Sequence, residues 1–267
     1  MSKFGFIGCG NMGGAIITAL CNKIDANEVK VADIDIKKVQ SFSDALGTIK
    51  STNEEIANTS KYIVLAVKPQ FMEAVLDEIS PVLKTRVDDV VLVSIAAGLS
   101  TEKIREFAKG KFKVIRVMPN TPAVLGEGMM LYTSTDNVDN KDIEEYIVSM
   151  SECGKCDRID EKLIDAASAL SGCGPAFVYM FIEALADGAV KCGLPREKAL
   201  EYAAQTVKGA ALMVEKTDKH PELLKDEVCS PGGSTIAGVS ALEKGKFRAN
   251  CIEAVEKAYK RTLELGK

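Results

Sequence analysis

The chain of 267 residues has no tryptophan, a single histidine and only 6% aromatic residues. Its core is therefore expected to be mostly aliphatic. It also lacks a basic surplus: 34 Lys and Arg against 38 Asp and Glu give a net charge of −4. Neutralising a phosphate backbone draws on such a surplus, so nucleic acid is excluded as the main partner. No secretory leader is expected, because Met1-Ser2-Lys3 runs straight into an apolar strand. Long apolar runs are scarce as well. Residues 177–190 come nearest, but Glu183 and Asp187 interrupt them, and a membrane span needs about 20 apolar residues. They read as a buried core helix, with a subunit interface as one place for it, and no membrane is expected as a partner.

What is present is ordinary globular composition, 46% hydrophobic and 27% charged. That excludes a disordered chain, a collagen-like repeat and a disulfide-dense mini-protein. Such a length suits roughly two domains and buries enough surface to need no staples. The eight cysteines (Cys9, Cys21, Cys153, Cys156, Cys173, Cys192, Cys229 and Cys251) are scattered. Free thiols in a reducing cytoplasm are the simplest reading. Cys153-Gly-Lys-Cys156 is a lone C-x-x-C. A structural zinc would want a second pair, and a redox site would want a helix start after a strand, so no metal is expected.

Up to about residue 120, short apolar runs alternate with helical patterns. Strands are expected near residues 4–8, 29–32, 62–67, 90–95 and 113–118, and helices near 12–20, 37–46, 70–79 and 101–108. Alternation of this kind predicts parallel β-α-β units with both sheet faces covered. From Leu163 onward only helical patterns remain, near 166–170, 177–191, 198–214 and 247–265. The expected architecture is α/β: a Rossmann-type parallel-sheet domain over 1–158, then an all-α substrate-binding and dimerisation domain over 159–267. The boundary is placed at the charged stretch around Arg158.

Gly8-Cys9-Gly10-Asn11-Met12-Gly13 is a G-x-G-x-x-G that follows an apolar strand and opens a helical pattern. In that context it reads as a dinucleotide turn. The first glycine permits the tight turn, the second lets a pyrophosphate approach the backbone, and the third lets the helix pack closely. The helix start supplies free N–H groups and a positive dipole end. Asp33 follows about 20 residues on, at the end of the second strand. An acid there accepts from ribose hydroxyls and repels a 2′-phosphate, which favours NAD; Asp35 adds to that repulsion, whereas Lys37 and Lys38 offset it. Asp33 also suits a helix N-cap. Two further loops end strands where open α/β sheets bind ligands: Ala66-Val67-Lys68-Pro69 and Ser94-Ile95-Ala96-Ala97-Gly98. Lys68 reads equally as a phosphate contact and as a solvated lysine.

With these segments, the chain resembles the pyrroline-5-carboxylate reductase family. Gly5-Phe6-Ile7-Gly8-Cys9-Gly10-Asn11-Met12-Gly13 is similar to its cofactor turn, and Ala66-Val67-Lys68-Pro69-Gln70 and Arg116-Val117-Met118-Pro119-Asn120-Thr121-Pro122 to later loops. Leu170-Ser171-Gly172-Cys173-Gly174-Pro175-Ala176 and Ala184-Leu185-Ala186-Asp187-Gly188 resemble its helical domain. The most specific segment runs from Leu224 to Ile236 and contains Cys229-Ser230-Pro231-Gly232-Gly233-Ser234-Thr235. The resemblance implies reduction of the cyclic imine 1-pyrroline-5-carboxylate to L-proline, the last step of proline biosynthesis. It implies dimers through the helical domain, assembled in many members into decamers. The family commonly prefers NADPH and tolerates NADH; Asp33 departs from its phosphate-friendly residues.

Hydride transfer to C=N asks little of the protein, because the cofactor carries the hydride. A cyclic imine protonates readily, so a dedicated general acid is not required, which fits a chain with one histidine. The substrate carboxylate needs donors, and the loop 230–235 ahead of a helix supplies them, with Ser or Thr as a cap. By resemblance, Gly232, Gly233, Ser234 and Thr235 clasp the carboxylate; the Thr235 hydroxyl could also donate to the ring nitrogen, which makes it the catalytic candidate. Glu161 falls where the family has a ligand-facing carboxylate, and Asn53 where it has a cofactor contact, although Asn53 also suits a helix start. His220 reads as a loop residue. Two rivals stay open. One is a reductase acting on a β-hydroxyacid or another imine, for which Lys191 is the lysine to examine. The other is a nucleotide-sensing or pyridoxal-type binding protein without turnover.

Overall fold

The computed structural model describes residues 2–265. The chain runs β1 (Ser2–Ile7), α1 (Asn11–Leu20), β2 (Val29–Ala32), α2 (Ile36–Leu46), β3 (Ile49–Lys50), α3 (Asn53–Thr59), β4 (Ser60–Leu65) and α4 (Met72–Thr85). It continues with β5 (Val91–Ser94), α5 (Thr101–Ala108), β6 (Lys113–Met118), β7 (Gly128–Ser134), α6 (Asn140–Ser149) and β8 (Gly154–Arg158). Helices follow: α7 (Glu161–Ser171), α8 (Gly174–Lys191), α9 (Arg196–Thr217), α10 (Pro221–Glu227), α11 (Ser234–Lys244) and α12 (Phe247–Leu265).

All eight strands form one sheet in the order β3-β2-β1-β4-β5-β6-β7-β8. Every pairing is parallel except β6 with β7. Side chains alternate across a strand, and here both faces are apolar. Phe4, Phe6, Tyr62, Val64, Val91, Val93, Ile115 and Val117 point to one core, shared with α1, α2 and α6. Ile63, Leu65, Leu92 and Val114 point to the other, shared with α3, α4 and α5. The core is mainly aliphatic but not wholly so. Phe4, Tyr62 and Tyr146 form an aromatic cluster, with Phe4 and Tyr62 stacked at 5.0 Å.

Charge is concentrated at the strand starts. The Lys113 ammonium sits among Asp89, Asp139 and Asp142 at 3.2, 2.6 and 2.9 Å. Lys61 pairs with Asp142 at 2.9 Å and with Glu145. This acidic triad already holds its cation.

The described chain divides into two compact units: the chain up to Cys173 with a C-terminal piece from Ala258, and Gly174–Lys257. The division falls beyond the charged stretch near Arg158 because α7 packs on the sheet. Ile164 is fully buried with Met118 and Leu131. In the second unit, α8 is not the buried core helix expected from its composition. Only Ala186 is buried along it, while Tyr179 and Met180 are 59% and 70% exposed. The stretch Glu161–Lys191 is long and apolar enough to cross a membrane by length and composition.

Candidate active site

Strand β1 has β2 on one side and β4 on the other. The two crossovers leave in opposite directions, which opens a crevice at the carboxyl ends of these strands. The segment 8–13 turns there. Gly8 has φ +107, and a Cβ on it would lie 2.6 Å from the Ala66 carbonyl oxygen. A Cβ on Gly13 would lie 2.5 Å from the Gly8 carbonyl oxygen, so α1 packs against the turn. Gly10 differs: a Cβ there meets nothing within 4 Å. Two of the glycines are demanded by the protein itself, and the third borders open space.

Gly10 is the N-cap of α1 and offers no side chain to the helix start; the first turn carries no acid. Asn11 is exposed and Met12 half-buried. Free N–H groups and a positive dipole end therefore face the crevice, the setting that suits a pyrophosphate. Cys9 is buried. Its N–H donates to Asp33 Oδ2 at 2.6 Å, and its thiol approaches the Ala32 carbonyl at 3.7 Å. Burial, with Asp33 adding to it and Lys38 opposing, pushes the Cys9 thiol up to about 12. It is a packing group rather than a nucleophile.

Asp33 does not cap α2; Asp35 does, accepting from the Lys37 N–H. The second oxygen of Asp33 accepts from the Asp35 N–H at 2.8 Å. Each carboxylate oxygen thus holds one backbone N–H and keeps lone pairs for a ligand hydroxyl. Ala66, Val67 and Pro69 are half-buried after β4, Lys68 is exposed, and Ala97 is half-buried after β5. These loops and the glycine turn share the carboxyl-end edge of the sheet. Asn53 opens α3 beneath a capping box made by Thr52 and Glu55. Its side chain donates to Glu78 at 2.9 Å.

Glu161 is not free. Its oxygens accept from the Thr101 N–H at 2.7 Å and the Thr101 hydroxyl at 2.8 Å. Arg116 lies 3.6 Å away and pairs with Asp165. Sequence reasoning missed Thr101, Arg116 and Asp165. The i, i+4 spacing puts Glu161 and Asp165 on one helix face, but nothing in the sequence pairs that face with Arg116 or Thr101.

In the second unit, Gly232 has φ +70 in the loop before α11. Gly233, not Ser234 or Thr235, is the N-cap, and no side chain bonds the helix start. Ser234 and Thr235 are the first two helical residues and are exposed. The expected Ser or Thr cap is therefore replaced by a bare helix start with free N–H groups, suited to an anion. His220 caps α10, its Nδ1 accepting from the Glu222 N–H at 3.2 Å. Cys153 lies in a turn and Cys156 in β8, away from a helix start; all eight cysteines are free.

Comparison with known proteins agrees with this layout. Residues 161–265 match the family described as pyrroline-5-carboxylate reductase dimerisation, and residues 3–98 match NADP oxidoreductase, coenzyme F420-dependent. The exposed apolar residues of α8 lie inside the dimerisation match, which supports assembly with another copy. The chain is 42% identical to pyrroline-5-carboxylate reductase of Arabidopsis thaliana, covering 99% of this chain and 95% of that one. It is 40% identical to the Escherichia coli enzyme of the same name, covering 99% and 98%. A crystal structure of Plasmodium falciparum pyrroline carboxylate reductase with NADP bound superposes with a TM-score of 0.90 at 38% identity, covering 100% of this chain and 98% of that one. With a dinucleotide crevice built on the sheet and a dimerisation segment following it, the chain belongs to the pyrroline-5-carboxylate reductase family of NAD(P)-dependent oxidoreductases.

Proposed function

We propose that the protein reduces 1-pyrroline-5-carboxylate to L-proline, the last step of proline biosynthesis, with NADH preferred over NADPH. The open space over Gly10, at a helix start free of acids, carries the cofactor part of this reading. When bound, the nicotinamide supplies the hydride for the imine carbon. The N–H groups of residues 10–13 hold the pyrophosphate. Ala66, Val67, Lys68, Pro69 and Ala97 line the loops beside it, and Asn53 lies near its outer end. Asp33 accepts from the ribose hydroxyls and disfavours a 2′-phosphate.

Residues 232–235 hold the substrate carboxylate through the uncapped start of α11. The Thr235 hydroxyl would donate a hydrogen bond to the lone pair of the neutral imine nitrogen, and the proton that this nitrogen takes up comes from solvent. No side chain need act as a strong acid, because the imine is readily protonated. Free thiols at all eight cysteines favour a reducing cytoplasm. The exposed apolar residues of α8, inside the dimerisation match, favour a dimer as the building unit; the decamer, and an assembly without a membrane, rest on the family resemblance alone.

Oxidation of NADH and NADPH, measured in parallel with the imine, tests the reading. Substrate-dependent turnover faster with NADH is expected. Cofactor binding without turnover would refute the reaction, and faster turnover with NADPH would refute the cofactor preference.

A further inference from the structure

We propose that Glu161 is a positioning residue, which fixes the start of α5 so that the loop before it is held ready for the cofactor. This rests on the reading that the loop after β5, which carries Ala97, lines the cofactor crevice.

That loop has few bonds of its own. At its near end the Ile95 N–H reaches the Leu65 carbonyl at 3.3 Å. Within it the Ala96 N–H meets the Ser94 hydroxyl at 3.4 Å, and Gly98 adopts φ +77. Ala96 and Leu99 pack into the core beneath it, and the rest of its conformation is set by its ends. The far end is Thr101, the first residue of α5. The N-cap Ser100 already serves the Lys103 N–H, so the Thr101 N–H needs another acceptor. Glu161 supplies it from 60 residues away and takes the Thr101 hydroxyl with its other oxygen. A carboxylate at a helix start is also favoured by the helix dipole.

The carboxylate is itself held. Arg116, on β6, is 2% exposed and bridges Glu161 and Asp165 one turn apart on α7. Ile164, between them, is buried against Met118 and Leu131. Asn120, just after β6, donates to the Ser171 carbonyl at 2.9 Å and pins the other end of α7. A rigid helix thus presents one carboxylate to the foot of the cofactor loop. A substrate-binding role fits this geometry poorly. Both oxygens are engaged, and a free carboxylate would repel the carboxylate of the substrate.

The test combines Glu161→Gln, Thr101→Val, their double variant and Thr101→Ser. Cofactor Kd is read from fluorescence of the reduced nicotinamide, alongside kcat and KM for the imine. Glu161→Gln and Thr101→Val should each raise cofactor Kd and lower kcat about tenfold, the worth of one charge-assisted hydrogen bond. The imine KM should stay within about twofold, and the double variant should cost no more than the worse single, as for one coupled unit. Thr101→Ser, which keeps the hydroxyl, should behave as the parent. A rise in imine KM with cofactor Kd unchanged would overturn the proposal, as would additive losses. Hydrogen exchange over residues 95–101 separates the two levels. No protection by cofactor in the parent removes the loop reading, and the proposal with it. Protection in the parent that persists fully in Glu161→Gln overturns the proposal alone.

Discussion

Replacing Asp33 with asparagine should turn the cofactor preference toward NADPH. Asp33 holds Cys9 N–H at 2.6 Å and Asp35 N–H at 2.8 Å, one on each oxygen. Asparagine keeps one of these acceptors and loses the other, a cost of about 1 kcal/mol in stability. The charge disappears entirely. A phosphate charge roughly 5 Å from the carboxylate, at effective dielectrics of about 20 to 80, meets a repulsion of about 1–3 kcal/mol. Removing it should raise the NADPH-to-NADH ratio of kcat/KM by about 5- to 200-fold. The assay is initial-rate oxidation of each cofactor at saturating imine. Salt supplies an internal control, because the screening length falls from about 30 Å at 0.01 M to about 8 Å at 0.15 M. Discrimination by the parent should narrow over that range, while that of the variant stays flat. A ratio that moves less than twofold, or a parent that already prefers NADPH, would refute the reasoning.

Thr235→Val removes the hydroxyl assigned to the ring nitrogen and should lower kcat by about 10²-fold at high pH, less at low pH where solvent protonates the imine; a flat pH dependence of the loss would count against that role. His220→Ala should leave turnover within about twofold while costing about 1 kcal/mol through the lost α10 cap, read by urea midpoint. Thiol labelling at pH 8 should modify exposed Cys192 and Cys251 and spare Cys9 and Cys153, both pushed up to about 12 mainly by burial. At the strand starts, burial alone would raise Asp142 and Glu145, but hydrogen bonds from Lys61, joined by Lys113 at Asp142 and Tyr62 at Glu145, outweigh it and hold both below their ordinary values. Their ionised forms therefore stabilise the fold above the ordinary carboxylate pKa of about 4, and that stability is lost as pH falls below it. Urea midpoints at pH 7 and pH 3 should differ more in the parent than in Lys61→Met; equal differences would discount the network.

The parts that were legible are those whose constraint is local. β2, α5, β6 and α12 fall where the apolar pattern placed them, because strands covered on both faces read as short apolar runs and their connecting helices keep one apolar stripe. β3 and β8 were invisible for the opposite reason: Ile49 and Lys50 are exposed, and β8 is the half-polar edge strand Gly154-Lys155-Cys156-Asp157-Arg158. α8 misled, since an apolar helix looks the same whether its own domain or another copy covers it. The glycine turn could be read letter by letter because Gly8 and Gly13 answer to the backbone beside them and Gly10 to the open space of the crevice. Glu161 could not. Its surroundings come from α5 and β6, distant in sequence, and only the fold brings the Thr101 N–H and the Arg116 guanidinium to one carboxylate. A residue recognised by its place in a motif can thus serve that motif's chemistry through a neighbour. Glu161 and Asp33 share only part of this property: both accept from a backbone N–H at a ligand-facing loop, but Asp33 keeps lone pairs and charge for the ligand, so its substitution is read first as a changed contact, whereas that of Glu161 is read first as a change in loop geometry.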